Sequence, residues 1–168
     1  MGIMRCTAKL LNELGTKPAI VPTEPPCLSD WHANLIWVER KKCVLFTNDQ
    51  TLYSFLIQVK KPLSEDFGKL FRLGLLKSLM SEGLDDACGA YMIGKQGAIV
   101  LTKTNSRSIL GSMNDLAFQI KCMIRAMGGF VNADLSEISR ELNRIPMRAI
   151  KYNVGIEELK RRLVEPEI

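Results

Sequence analysis

The stretch WHANLIWVERKKCVLFTNDQTLYSFLIQV (residues 31–59) decides the fold. It consists of three apolar runs separated by two short polar segments. Residues 33–39 are the first expected strand, with Trp37 inside it. Arg40, Lys41 and Lys42 make a tight basic turn into a second strand over 43–47. Asn48, Asp49 and Gln50 supply another turn, because short polar side chains bond their own backbone there. Residues 52–59 follow as the third strand. Short apolar runs joined by tight turns read as a three-stranded meander. The runs are apolar on both faces, so a second layer should cover each side.

Upstream of the meander, residues 3–6 form a candidate strand. Thr7 stands at the N-cap of a helix carrying Leu10, Leu11 and Leu14, and Gly15 supplies its stop. Pro18, Pro22, Pro25 and Pro26 fall within residues 16–29. Proline lacks the N–H donor and restricts the residue before it, so an extended surface loop is expected there.

Downstream, Pro62 ends the third strand. Ser64 then caps a helix, with Glu65 and Asp66 near its positive end. Phe67, Leu70, Phe71, Leu75, Leu79 and Met80 recur at helical spacing until Gly83. A short helix over 84–93 and a strand over 97–102 come next. Ser112 and Asp115 have capping-box spacing. After them Met113, Leu116, Ala117, Ile120, Met123, Ile124 and Met127 mark one helical face. Phe118 and Cys122 widen that face, which predicts a central helix closed by Gly128 and Gly129. Asp134 and Glu137 repeat the capping spacing before Leu135, Ile138 and Leu142, and Pro146 stops that helix. A last helix covers 156–163, with Glu157 and Glu158 at its start and Lys160, Arg161 and Arg162 at its end, as the helix dipole favours. The expected class is α+β: a mainly antiparallel sheet of about four or five strands, the meander plus further strands, covered by helices.

With 168 residues the chain has the size of one domain, and a single globular domain over 1–168 is expected. Its 46% hydrophobic and 24% charged residues exclude disorder as a whole-chain description. The net charge of +5 and pI of about 9.0 are spread over short clusters such as Lys60-Lys61 and Lys160-Arg161-Arg162. None is the long block of a nucleic-acid arm. The charge therefore permits a phosphate-rich partner without requiring one.

Cys6, Cys27, Cys43, Cys88 and Cys122 are odd in number and contain no C-x-x-C pair, and His32 is the sole histidine. Zinc patterns are absent, and neither metal nor cofactor is expected. Cys43 and Cys122 sit in apolar runs and read as small buried hydrophobes. With no disulfide framework, a reducing, cytoplasmic compartment is the expectation. The opening residues lack a basic segment followed by a long apolar one, so no export signal is expected. No apolar run has membrane-spanning length.

Three segments could carry chemistry. Asp30-Trp31-His32-Ala33-Asn34 joins the proline loop to the meander, and His32 is the residue type that changes charge near neutrality. Asp30 could contact it across a turn; equally, His32 could cap a strand while Trp31 plugs the core. The second segment runs from Thr102 through Lys103, Thr104, Asn105, Ser106, Arg107 and Ser108 to Gly111, Ser112, Asn114 and Asp115. It follows a strand and leads into a helix start, where free backbone N–H groups favour an anion. It is not a P-loop, since the G-x-x-x-x-G-K-[ST] order is missing. A capped helix after a polar loop has the same composition. Third, Arg140 and Arg144 share a helix face and could grip a phosphate or pair with Glu137 or Glu141. The chain contains no G-x-S-x-G elbow, no G-x-G-x-x-G after a strand and no H-E-x-x-H.

The strings DWHANL (30–35), RKKCVLFTN (40–48) and TNSRSILGSMNDLAFQ (104–119), with MRCTAKLLNEL (4–14) and RELNRIPMRAIKY (140–152), resemble an uncharacterised bacterial domain family of about this length. The resemblance covers nearly the whole chain and transfers no activity. It implies a shared site built from His32, Asn34, Asn105, Arg107, Ser108, Asn114 and Asp115. The function expected is a binding or regulatory module with an anion-favouring polar pocket for nucleotide, nucleic acid or a protein partner. The alternative is a small hydrolase or transferase acting on a phosphate-containing substrate, with His32 as acid/base and Arg107 stabilising charge. A third reading makes the proline loop a contact for a partner protein.

Overall fold

A computed structural model describes residues 2–60, 62–63, 66–93 and 98–165. Strand β1 (Gly2–Cys6) leads directly into helix α1 (Ala8–Leu14). Gly15 takes φ +63°, the left-handed conformation that ends a helix cheaply only at glycine. Residues 16–29 carry no regular structure. The meander follows as β2 (Trp31–Val38), β3 (Lys41–Asn48) and β4 (Ser54–Gln58). Its first turn is tighter than expected. Glu39 and Arg40 both have positive φ, 49° and 66°, so two residues reverse the chain in the manner that suits strand twist, and Lys41 and Lys42 belong to β3. At the second turn Asn48 Oδ1 accepts from the N–H of Gln50 and of Thr51, at 3.2 and 3.1 Å.

Helices α2 (Phe67–Ser81) and α3 (Asp86–Ile93) precede β5 (Ile99–Lys103). The expected cap at Ser64, its neighbour Glu65 and the strand start at Gly97 lie outside the described residues. Then come α4 (Arg107–Ala126), α5 (Leu135–Leu142) and α6 (Gly155–Val164). Asp134 caps α5 as its spacing predicted, accepting from the N–H of Ser136 and Glu137. Among the described residues, no helix is long and apolar enough to cross a membrane.

The strand order is β4-β3-β2-β1-β5. The meander strands pair antiparallel, but β1 runs parallel to both β2 and β5. The α+β class holds, with a mixed sheet in place of a mainly antiparallel one. The cause is the chain path. β1 reaches β2 through α1 and the proline loop, and β4 reaches β5 through α2 and α3. Connections of that length can bring a strand back in the same direction.

Both faces of the sheet are covered. On one, Met4, Trp31, Val44, Phe46 and Phe55 pack with α1, α2, α3 and α6. Trp31, Phe46, Phe55 and Phe71 form an aromatic centre with ring separations of 5.0 to 5.9 Å. Gly74 lets α2 lie close on β4, since a Cβ there would stand 2.1 Å from Ile57 Cδ1. On the other face, Ile36, Val38, Cys43, Leu45 and Leu56 meet α4 and α5.

Helix α4 departs from the sequence expectation in two ways. It begins at Arg107, not after Ser112. Ser106 is the N-cap, its hydroxyl accepting from Ile109 N–H at 3.2 Å, and Ser112 is buried one turn further on. The apolar stripe reaches back to Ile109, so the first N-cap available to it prevails over the later capping-box spacing. Met113, Leu116, Ile120 and Ile124 are buried as expected, with Met123 and Met127 partly buried beside them. Phe118 is 66% exposed and Cys122 is exposed, so the buried face is narrower than predicted.

Candidate functional site

A buried charged network spans the sheet where β1, β2 and β3 meet. Arg5 of β1 stands beside His32 of β2 and Thr102 of β5 in the strand register. Asn48 fixes the turn after β3 by donating through Nδ2 to the carbonyl of Leu28 at 2.8 Å, and Asp49 N–H bonds the Asp30 carbonyl at 2.9 Å. This places the Asp49 carboxylate between the two basic side chains. Its Oδ2 accepts from Arg5 Nη1 at 2.7 Å, and its Oδ1 lies 2.7 Å from His32 Nδ1. Asp30 adds a second carboxylate 3.7 Å from Arg5, accepting in addition from the N–H groups of Ile3 and Cys27.

All four side chains are 5% exposed or less, and His32 is wholly enclosed. Buried charges are tolerable only when each finds a partner, and this arrangement supplies them. Among the described residues, His32 Nε2 and Arg5 Nε nevertheless have no hydrogen-bond partner. Sequence reasoning singled out Asp30 and His32 here but paired His32 with the wrong carboxylate, and it missed Arg5 and Asp49. The available signal for Arg5 was a charged residue between Met4 and Cys6 in an otherwise apolar strand. Asp49 carried none, because a turn explains an aspartate completely.

The second polar region lies at the C-terminal ends of β1 and β5, level with the middle of β2. Cys6 is level with Ala33 and with Lys103, so Thr7, Asn34 and Thr104 are the next row. Thr7 caps α1 by backbone position, but its hydroxyl donates to Asn34 Oδ1 at 3.0 Å instead of bonding the helix. Among the described residues, the opening N–H groups of α1 consequently keep no side-chain acceptor. At α4, Ser106 satisfies Ile109 and leaves the N–H groups of Arg107 and Ser108 without a protein partner among the described residues. Asn105, Arg107, Ser108, Asn114 and Asp115 are exposed, while Asn34 is buried. Lys103 and Arg107 form no ion pair among the described residues. Asn105, Arg107 and Ser108 thus follow the end of β5, with Asn34 of mid-β2 level with the end of β1, whereas Asn114 and Asp115 lie further along α4 and His32 lies inside the network.

The third segment is an intramolecular tie. Arg144 binds Glu82 with two parallel hydrogen bonds of 2.8 Å, joining the end of α5 to the end of α2. Those bonds raise the Arg144 pKa further above its usual range. Cys6 and Cys43 are poor nucleophiles. Burial pushes the Cys6 thiol up to about 12 and Cys43 up to about 11, so both stay protonated. Among the described residues, no three His, Cys, Asp or Glu side chains are grouped to hold a metal ion.

The model of a domain of unknown function, DUF6933, matches residues 3–158. The chain belongs to this family. Both polar regions fall inside the matched span. No curated protein matches the sequence.

Proposed function

We propose that this family member is a binding module for a phosphate- or carboxylate-bearing ligand, taken up at the C-terminal ends of β1 and β5. One observation carries the reading. These adjacent parallel strands send their following helices to opposite faces of the sheet, α1 to the aromatic face and α4 to the other. Two helix N-termini consequently open onto one sheet edge, at the kind of switch point where open sheets bind ligands. Backbone N–H groups and the cations Lys103 and Arg107, all without a partner among the described residues, favour negative charge there. Asn34, Asn105 and Ser108 supply adjustable hydrogen-bonding groups.

The enzyme alternative needs His32 to reach a substrate. Its ring is fully enclosed, and its Nδ1 is committed to Asp49, so the network serves better as a tie between β1, β2 and the turn after β3. Asn114 and Asp115 stand apart from the proposed site. Free thiols at all five cysteines suit the reducing cytoplasm in which we place the protein, and the family resemblance points to a bacterial one.

Titration with inorganic phosphate and with nucleotides at low salt, followed by thermal melting and by amide chemical shifts, tests this. A ligand of the native state raises stability as ln(1 + [L]/Kd). Shifts should concentrate at Arg107 and Ser108. Arg107→Ala should abolish the stabilisation while leaving the unliganded melting temperature almost unchanged. Equal stabilisation of wild type and Arg107→Ala would overturn the proposal.

A further inference from the structure

The free edge of the sheet at β4 is only half closed. Ser54 N–H donates to Asn143 Oδ1 at 2.7 Å, and the Ser54 carbonyl accepts from Asn143 Nδ2 at 2.8 Å. Leu56 N–H donates to Ser139 Oγ at 3.1 Å. Side chains of α5 thus occupy the strand's outward groups up to Leu56 N–H. Strand groups alternate in direction with a period of two residues. The Leu56 carbonyl and the N–H and carbonyl of Gln58 therefore point outward as well, and among the described residues they have no partner. Val59 N–H turns the other way, to the Lys42 carbonyl at 2.9 Å, as that alternation requires.

A groove of about 570 Å³ runs beside these open groups, between α2 and the start of α5. Ile57, Leu70, Leu73 and Leu135 give it apolar walls, and Lys60 and Lys77 flank it. It continues into a hollow of about 450 Å³ that reaches Lys69. Lys69, Leu73 and Lys77 lie four residues apart on α2, so they line one side with an apolar residue between two cations. Lys60, Lys69 and Lys77 form no ion pair among the described residues. Of the carboxylates on the walls, Asp134 is engaged in capping α5, which leaves Asp66 against three ammonium groups.

We infer that this groove receives an extended acidic peptide segment of a partner protein, which adds to β4 at Leu56 and Gln58 as a further strand. Main-chain bonds to the open edge would hold the segment, with side chains alternating between the apolar walls and the lysines. A second copy of this chain fits less well. Pairing two β4 edges would bring two sets of the same lysines together. This surface lies away from the proposed anion site and does not depend on it.

The test uses the full chain and a fluorescein-labelled peptide alternating glutamate with valine over seven residues. Its lysine–valine counterpart and a single-stranded oligonucleotide serve as competing probes. Anisotropy should show binding of the acidic peptide that weakens with salt. Hydrogen exchange should slow at Gln58 N–H. Lys60→Glu with Lys77→Glu should weaken binding by about tenfold or more, as loss of two ion pairs and gain of repulsion implies. Gln58→Pro deletes an outward donor without touching the ladder to β3, so it should keep the fold by circular dichroism and lose the peptide. No binding at low salt, equal binding of the lysine peptide, binding of the oligonucleotide alone, or Gln58 protection arising from self-association would each overturn the inference.

Discussion

Asn143 holds Ser54 by both of its main-chain groups, its Oδ1 accepting at 2.7 Å and its Nδ2 donating at 2.8 Å. A side-chain amide on the turn after α5 thereby stands in for a neighbouring strand. Nδ2 is shared with the carbonyl of Ser139, at 2.8 Å, so the amide is fully engaged although Asn143 is 1% exposed. Asn143→Leu should cost about 2–4 kcal/mol in urea unfolding, because buried donors and acceptors on Ser54 lose their partner. A cost below about 0.5 kcal/mol would mean that water closes the edge equally well.

Asp49 is the shared partner of two buried basic side chains. Asp49→Ala should destabilise by about 3–5 kcal/mol, since buried Arg5 would keep only its longer 3.7 Å contact to Asp30 and His32 Nδ1 would lose its carboxylate. Arg5→Met combined with Asp49→Ala should cost clearly less than the two single changes added together, which a double-mutant cycle would measure. Strict additivity would show that the network is not coupled.

Burial on α4 distinguishes two apolar residues that sequence alone grouped together. Ile120 is 0% exposed and Phe118 66% exposed. Ile120→Ala should cost about 2–5 kcal/mol. Phe118→Ala should stay within about 0.5 kcal/mol of wild type in the same denaturation series.

Glu158 links stability to pH. The hydrogen bond from Arg161 is the main influence holding its carboxyl below the ordinary value of 4.5, with Asn153 and Arg162 acting in the same direction against partial burial. A carboxyl depressed in the folded state stabilises that state above the unfolded value, and the contribution disappears as pH falls through the folded one. The stability gap between wild type and Glu158→Gln should therefore be full at neutral pH and shrink progressively below about pH 4.5. A gap that is constant down to pH 2 would assign the role of Glu158 to packing.

Local chemistry made much of this protein legible before any coordinates. The meander, the left-handed stop at Gly15, the Asp134 cap and the stripe on α4 all depend on residues a few positions apart, where propensity, capping and periodicity act directly. The polar strip around Asn105 and Arg107 was legible for the same reason. Three features depended on long-range pairing instead. The direction of β1 is set by how α1 and the proline loop return the chain, and nothing within its five residues encodes that. The partner of His32 is Asp49, seventeen positions away, chosen because the turn after β3 folds back onto Asp30. The closure of β4 by Ser139 and Asn143 joins residues more than eighty positions apart. Periodicity tells which face of an element is buried, but only the packed sheet decides which distant polar group meets it there.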